Sequence, residues 1–312
     1  MERSNLIVVV AEKPFSGATS DEMTRICREP YTLLLIQGYK DREKDVFPFL
    51  GNAMAVIVRS DKVDETFLNN SGSQLKVIVR AGTGYDTIDT NLCRHRGIAV
   101  LNTPGQNSNA VAELVFGLLI HVMRQGFSGK VGLELKGRTL GLHGFGSIAK
   151  LVAHIAKDGF GMKVCAYDPY VNETVFQAHG VRMCSSLDEI YSTCTVVSIH
   201  VPLTAETKMS VGSKLLNRMA PNSIIVNTSR AEIVDEMALK NTLNERADVC
   251  YCADVAPKCA AELLEKYGQR VFFTQVKCGA QTEEANANCG LAAIHEIMGF
   301  IEENDTTFQV NK

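Results

Sequence analysis

Residues 139–170 read TLGLHGFGSIAKLVAHIAKDGFGMKVCAYDPY, in the order strand, glycine turn, helix, strand, acidic residue. Residues 139–143 form a short apolar run, and Gly144-Phe145-Gly146-Ser147-Ile148-Ala149 fits the pattern G-x-G-x-x-G/A. The first glycine permits the tight turn, and the second lets backbone N–H groups approach a pyrophosphate at the positive end of a helix dipole. Ala149 takes the third position, where a small side chain lets helix close on strand. A helix over 147–157 and a strand over 163–167 then lead to Asp168. A carboxylate there can accept from both adenosine ribose hydroxyls and repel a 2′-phosphate. The glycines alone also fit any tight turn. With both strands, the helix and the aspartate, they predict a dinucleotide site that takes NAD in preference to NADP.

The 312 residues give room for about two domains. Hydrophobic content of 46% and charged content of 21% are ordinary for a globular enzyme. A net charge of −3, with no basic run interleaved with aromatics, offers no field for nucleic acid. The N-terminus has a short apolar run flanked by charge and reads as a first strand rather than a signal peptide. The apolar stretch 110–123 is broken by Glu113 and His121 and is too short to span a bilayer. Ten scattered cysteines contain no C-x-x-C pair. Cys250 and Cys252, at strand spacing, read as small buried residues rather than metal ligands. No metal site is expected, and a cytoplasmic protein with reduced thiols is.

Residues 6–10, 31–36, 55–58, 76–80 and 97–101 read as strands, with a helix around 20–28, and end in polar or glycine-bearing loops. Such alternation implies parallel βαβ units, whose ligands bind at the carboxyl ends of the strands. A long helix over 108–124, capped by Asn107 or Ser108, is apolar around most of its circumference and should be buried. Past the linker 125–138 and the glycine stretch, strands over 195–200, 223–228, 249–255 and 271–274 alternate with helices around 213–219, 235–245 and 260–267. A last amphipathic helix, 283–303, has no strand of its own and should return to the N-terminal unit. The expected fold is α/β, with two doubly wound parallel-sheet domains. A discontinuous, flavodoxin-like substrate domain spans 1–101 and 283–312, and a Rossmann NAD domain spans 102–282.

The ordered segments RAGTGYDTID, NTPGQNSNAVAEL, GLHGFGSIA, YDP, HVPLTAET, NTSRAEIVDE, ADVAP and GAQTEEA resemble those of the D-isomer-specific 2-hydroxyacid dehydrogenases. Within that family the chain is similar to the short 3-phosphoglycerate dehydrogenases that carry lysine where most members carry a catalytic histidine. The resemblance implies NAD-dependent oxidation of D-3-phosphoglycerate to 3-phosphohydroxypyruvate, the first step of phosphorylated serine biosynthesis. It implies that Arg230 holds the substrate carboxylate and polarises the carbonyl, tasks suited to a planar cation. It implies cofactor contacts at Gly144, Phe145, Gly146, Ser147, Ile148, Asp168, Pro169, Val201, Pro202, Thr207, Thr228, Ser229, Arg230, Asp254, Lys277 and Gly279.

Two departures matter. The family's acid/base histidine falls on Lys277, and the glutamate that pairs with it falls on Cys259. A histidine needs a carboxylate to fix its tautomer, whereas an ammonium has none to fix, and a carboxylate beside it would raise its pKa. Arg230 and partial desolvation push the Lys277 pKa toward the range useful for a general base. The alternative role for Lys277 is to supply positive potential alone. Glu262 lies in the following helix, a poor place from which to replace the missing carboxylate.

For the phosphate, Arg80 at a strand terminus is the first candidate, with Arg59, Ser60 and Asn107 on neighbouring loops and backbone N–H groups of Ala81 and Gly82 for the carboxylate. A solvated turn for Arg59 and a helix N-cap for Asn107 compete with those roles. The resemblance also implies a homodimer through helix 108–124 and its flanking loop. With the chain ending at Lys312, the serine-sensing domain of longer members is expected to be missing. The competing functions are a glyoxylate or hydroxypyruvate reductase and a non-catalytic NAD-sensing corepressor. The expected partner is a small anionic substrate, with neither nucleic acid nor membrane.

Overall fold

The computed structural model describes residues 5–312. Two compact units are built from it, one running to Asn107 and resuming at Thr282, the other spanning Ser108–Gln281. In the first, elements alternate as β1 (Leu6–Ala11), α1 (Gly17–Ile26), β2 (Thr32–Gln37), α2 (Arg42–Asp45), α3 (Phe47–Leu50), β3 (Ala53–Val58), α4 (Glu65–Asn69), β4 (Val77–Arg80), α5 (Thr90–His95) and β5 (Ala99–Asn102). The sheet order is β2-β1-β3-β4-β5 and every neighbouring pair is parallel. This is the flavodoxin-type order, which places ligands at the carboxyl ends near the reversal of strand order. All six residues of β3 are buried because helices cover both faces, so the strand is apolar throughout rather than alternating.

The second unit holds α6 (Ser108–Met123), β6 (Thr139–His143), α7 (Ser147–His154), β7 (Lys163–Tyr167), α8 (Glu173–Ala178), β8 (Arg182–Met183), α9 (Leu187–Thr193) and β9 (Val196–Ile199). It continues through α10 (Ser213–Leu216), β10 (Ile224–Asn227), α11 (Glu236–Glu245), β11 (Cys250–Ala253), α12 (Ala260–Tyr267) and β12 (Val271–Phe273). Its strand order is β12-β11-β10-β9-β6-β7-β8, parallel throughout. The order of strands therefore reverses between β6 and β9, the crevice where doubly wound sheets bind dinucleotides. The expected α/β class with two parallel sheets is the one observed. Leu118, Leu119, Val115 and Ala112 of α6 pack with Leu140, Leu142 and Ala149 into one core.

The last helix, α13 (Glu283–Glu303), is capped by Thr282, whose hydroxyl accepts from Ala285 N at 3.1 Å. It ends where Asn304 turns left-handed. Ala293, Ile294 and Ile297 join Ile7 and Val9 in the core of the first unit. Beyond it, Asn311 accepts from Val100 N at 2.8 Å and donates to Ile98 O at 2.9 Å, covering the otherwise open edge of β5.

Local differences from the sequence reading have identifiable causes. The helix expected over 147–157 ends at His154 and widens into a π turn over Ile155–Gly159. There Phe160 N bonds Ile155 O, and Gly161 then takes a left-handed φ of 61°. Residues 171–194, to which the sequence pattern assigns nothing, form α8, β8 and α9.

Candidate active site

The glycine turn follows β6 directly. Gly144 has φ +96°, and a Cβ there would stand 3.0 Å from Val201 Cγ1 and 3.1 Å from the His200 backbone. Only glycine fits both the angle and the space. Gly146 is the N-cap of α7 and no side chain caps that helix, while a Cβ at Gly146 would meet nothing within 4 Å. An uncapped helix start beside open space is the cradle that a pyrophosphate requires. At the end of β7, Asp168 Oδ2 accepts from Phe145 N at 2.8 Å and Oδ1 from Tyr170 N at 2.9 Å. These bonds fix the carboxylate against the glycine turn and leave lone pairs on both oxygens for a ribose. The residues fit a dinucleotide.

Three loops at the carboxyl ends of β9, β10 and β11 carry further expected residues. Thr207 Oγ1 donates to Pro202 O at 2.5 Å, closing the turn that starts at Val201. After β10, Asn227 is 1% exposed; its Oδ1 accepts from Ser229 N at 2.9 Å and its Nδ2 donates to Arg230 O at 2.9 Å. Asn227 thereby sets the backbone from which Arg230 projects. Thr228 is buried, and its hydroxyl has no hydrogen-bond partner.

Asp254, one residue past β11, is 1% exposed. Its Oδ1 accepts from Cys278 N at 2.8 Å and Thr274 Oγ1 at 3.1 Å, and its Oδ2 from Gly279 N at 2.9 Å. The carboxylate thus grips the loop on both sides of Lys277, itself exposed. A Cβ on Gly279 would come within 2.8 Å of Asp254 Oδ2, so this glycine permits the grip, and its N–H is already used by it. The desolvation expected for Lys277 is not supplied by its own loop.

Cys259 precedes α12 and is half-buried. Burial first, and then Glu236, push its thiol above the ordinary range. Glu236, missed in the sequence because it sits in a different helix, also accepts from Lys258 N at 2.8 Å. Glu262 is paired with Lys240.

In the first unit the candidates divide. Arg80 closes β4 and donates to Ala81 O at 3.1 Å. Its guanidinium lies across Gly82, where a Cβ would be 1.4 Å from Arg80 Nη1 and φ is +139°, so Gly82 exists to let Arg80 cross. Asn107 Oδ1 pairs with Thr83 Oγ1 at 3.1 Å, drawing the loops after β4 and β5 together. Ser60 is exposed.

Two candidates are corrected. Ala81 N–H donates to Val58 O at 2.8 Å, so it belongs to the sheet and is no carboxylate donor. Arg59 is neither solvated nor open to an anion. It is 8% exposed, donates to Lys13 O at 2.6 Å and Pro14 O at 2.8 Å, bonds Asn286 Oδ1 and stacks over Phe15 at 4.8 Å. Its main-chain N–H is held by Asp61 Oδ2 at 3.0 Å. Arg59 fastens α13 to the loop after β1 within this unit. A buried acceptor set contributed by distant residues leaves no local trace beside Arg59.

The family description "D-isomer specific 2-hydroxyacid dehydrogenase, NAD binding domain" matches residues 119–271. The chain is 32% identical over 271 residues to a D-3-phosphoglycerate dehydrogenase of Methanocaldococcus jannaschii, covering 82% of this chain and 51% of that protein. It is 38% identical over 211 residues to a hydroxypyruvate reductase of Thermotoga maritima, covering 63% and 67% respectively. It therefore spans about half the length of the curated phosphoglycerate dehydrogenase just described. Among solved structures, the NAD+-bound 3-phosphoglycerate dehydrogenase of Entamoeba histolytica superposes with a TM-score of 0.90 at 41% identity, over 99% of both chains.

Proposed function

The chain belongs to the D-isomer-specific 2-hydroxyacid dehydrogenase family, and on that premise we propose that it oxidises D-3-phosphoglycerate to 3-phosphohydroxypyruvate. The cofactor is NAD, in keeping with the family match and with Asp168 fixed beside the glycine turn. What supports the substrate is above all the likeness, at 41% identity and full length, to a 3-phosphoglycerate dehydrogenase.

NAD, when bound, supplies the hydride acceptor. The residues of the chain do the rest. Arg230, on the backbone set by Asn227, takes the substrate carboxylate in a bidentate grip and polarises the oxygen on C2. Lys277 Nζ takes the C2 hydroxyl proton and returns it in the reverse direction. Asp254 is a positioning residue that holds the Lys277 loop through Cys278 and Gly279. Arg80 takes the phosphate, with Ser60 and Asn107 as neighbours and Gly82 N–H as carboxylate donor.

The enzyme is a homodimer in this reading, because Phe127, Val131 and Leu133 in the loop after α6 are 67%, 92% and 52% exposed, more apolar surface than one loop ordinarily leaves in water. It works in the cytoplasm, where ten free cysteines stay reduced. No described helix is long and apolar enough to cross a membrane. The test is NADH absorbance, first with NAD and D-3-phosphoglycerate, then with NAD and D-glycerate, then with NADH and glyoxylate or hydroxypyruvate. The reading requires D-3-phosphoglycerate to be used with the highest kcat/KM. Preference for hydroxypyruvate or glyoxylate overturns the substrate and leaves the family standing.

A further inference from the structure

Three of the ten cysteines meet in one place beneath the nucleotide-binding half of the sheet. Cys165 lies in the middle of β7, Cys184 follows β8 and Cys194 ends α9; they are 1%, 1% and 0% exposed. The Cys165 and Cys194 sulfurs are 3.3 Å apart, whereas Cys252 is surrounded by carbon and bonds only Ile225 O. The approach is built by Gly141 in β6. Gly141 is the register neighbour of Cys165, and a Cβ on it would stand 2.8 Å from Cys194 Sγ and 2.6 Å from Ile190 Cγ2. The missing side chain is the space through which the end of α9 delivers one sulfur across β6 to another. A cleft of about 260 Å³, with Cys165, Thr193, Lys163 and Arg182 in its walls, opens beside the pair. That is ample for a hydroperoxide, since a water molecule takes up about 30 Å³ of the liquid.

From this geometry we infer that Cys165 and Cys194 form an oxidation site, closing to an intrachain disulfide when a hydroperoxide enters the cleft. Cys165 is the sulfur in the wall of the cleft. Its hydrogen bond holds the Cys194 thiol below the ordinary thiol range, so Cys194 as thiolate takes the Cys165 proton. The Cys165 sulfur then attacks the near oxygen of the peroxide and the O–O bond breaks. The departing oxygen collects that proton from Cys194 as water or alcohol. Cys194 thiolate then attacks the Cys165 sulfenic sulfur and expels hydroxide, which solvent protonates. Two thiols lose two electrons and two protons, and the peroxide is reduced by the same two electrons.

A disulfide has its sulfurs about 2.05 Å apart, so the pair must close by roughly 1 Å. That movement falls on β7 three residues before Asp168 and over β6 three residues before Gly144. Oxidation therefore loosens NAD binding by several-fold, a consequence that rests on the NAD reading above.

The experiment treats the full-length protein with stoichiometric hydrogen peroxide, blocks remaining thiols, and maps cross-linked peptides by mass. NAD affinity is measured before and after, and again after dithiothreitol. The expected result is a Cys165–Cys194 peptide two hydrogens lighter than its reduced parts, absent in Cys165→Ser and Cys194→Ser, with NAD affinity lowered and then restored by the reductant. Free thiols at both positions, or a bond from Cys165 to Cys184 alone, overturn the assignment whatever the substrate. A mapped disulfide with unchanged NAD affinity overturns the coupling to the cofactor turn. An oxidation-dependent loss of NAD affinity that persists in both serine variants overturns it as well.

Discussion

The turn at Gly144–Ala149 and the loop at 274–279, to which the proposed function gives parts in one reaction, are held in opposite ways. The turn is built from its own residues. Its shape follows from a φ of +96° at Gly144, from an uncapped helix start at Gly146, and from one contact 23 residues away, Asp168 to Phe145 N. The loop of Lys277 has no regular structure between β12 and α13. It is fixed by Asp254, which reaches it across 20, 24 and 25 residues of chain with three hydrogen bonds. The glycine turn is thus a property of a short segment, and the loop proposed to carry the acid/base lysine a property of the sheet that places Asp254.

This contrast can be broken first at Lys277. Lys277→Ala lowers kcat by about 10²–10⁴-fold, the usual span for a general base, while NAD affinity measured by fluorescence titration stays within twofold. Asp254→Asn comes next. It replaces one acceptor oxygen by a donor facing a backbone N–H and releases the loop. A misplacement of about 1 Å costs on the order of 10²-fold, so steady-state kcat falls by about that factor with a smaller change in KM for NAD. If Asp254→Asn weakened NAD binding and spared kcat, the loop would not depend on it.

The two arginines of the first unit sharpen the same division between local and remote anchoring. Arg59→Ala removes side-chain hydrogen bonds to Lys13, Pro14 and Asn286 and the contact with Phe15. The expected cost is about 2–3 kcal/mol by denaturant melting, with the ratio of kcat/KM for D-3-phosphoglycerate over D-glycerate preserved. Arg80→Ala should do the reverse, collapsing that ratio with little loss of stability. Equal behaviour of the two variants would dissolve the distinction.

The smallest expected effect is at Glu296 of α13. One of its oxygens is buried without a hydrogen-bond partner, and burial, then Asp305, push its carboxyl up to about 8 from 4.5. The folded chain holds that proton more tightly than the unfolded chain. Its stabilising contribution is therefore complete below about pH 4.5 and lost as pH rises through about 8. Glu296→Gln should melt like the wild type near pH 5 and a few degrees above it at pH 9, as followed by circular dichroism.

What was legible in the sequence follows the same line. The glycine turn, its helix start, Asp168 and both parallel sheets show in local pattern, because apolar runs and turn glycines act over a few residues. The ends of α6 and α13 were legible for the same reason. The grip of Asp254 on the Lys277 loop, the Asn227 bonds that set Arg230, and the Glu236 carboxylate beside Cys259 were not, since each joins residues from separate strands or helices. Arg59 shows the cost most plainly: as a charged residue in a polar turn it reads as a phosphate ligand or as solvated, and only the fold brings Lys13, Pro14 and Asn286 around it.

The central claim is that Lys277 Nζ carries the proton of the reaction from a loop held by Asp254. Chemical rescue tests it most directly, because Lys277 is exposed and a small amine can reach its place. Turnover of Lys277→Ala with NAD and D-3-phosphoglycerate would be followed by NADH absorbance against increasing methylamine. The account predicts a basal rate about 10²–10⁴-fold below wild type that climbs with the concentration of free amine, with Lys277→Arg unrescued. A Lys277→Ala enzyme that turns over near the wild-type rate without any amine would contradict it.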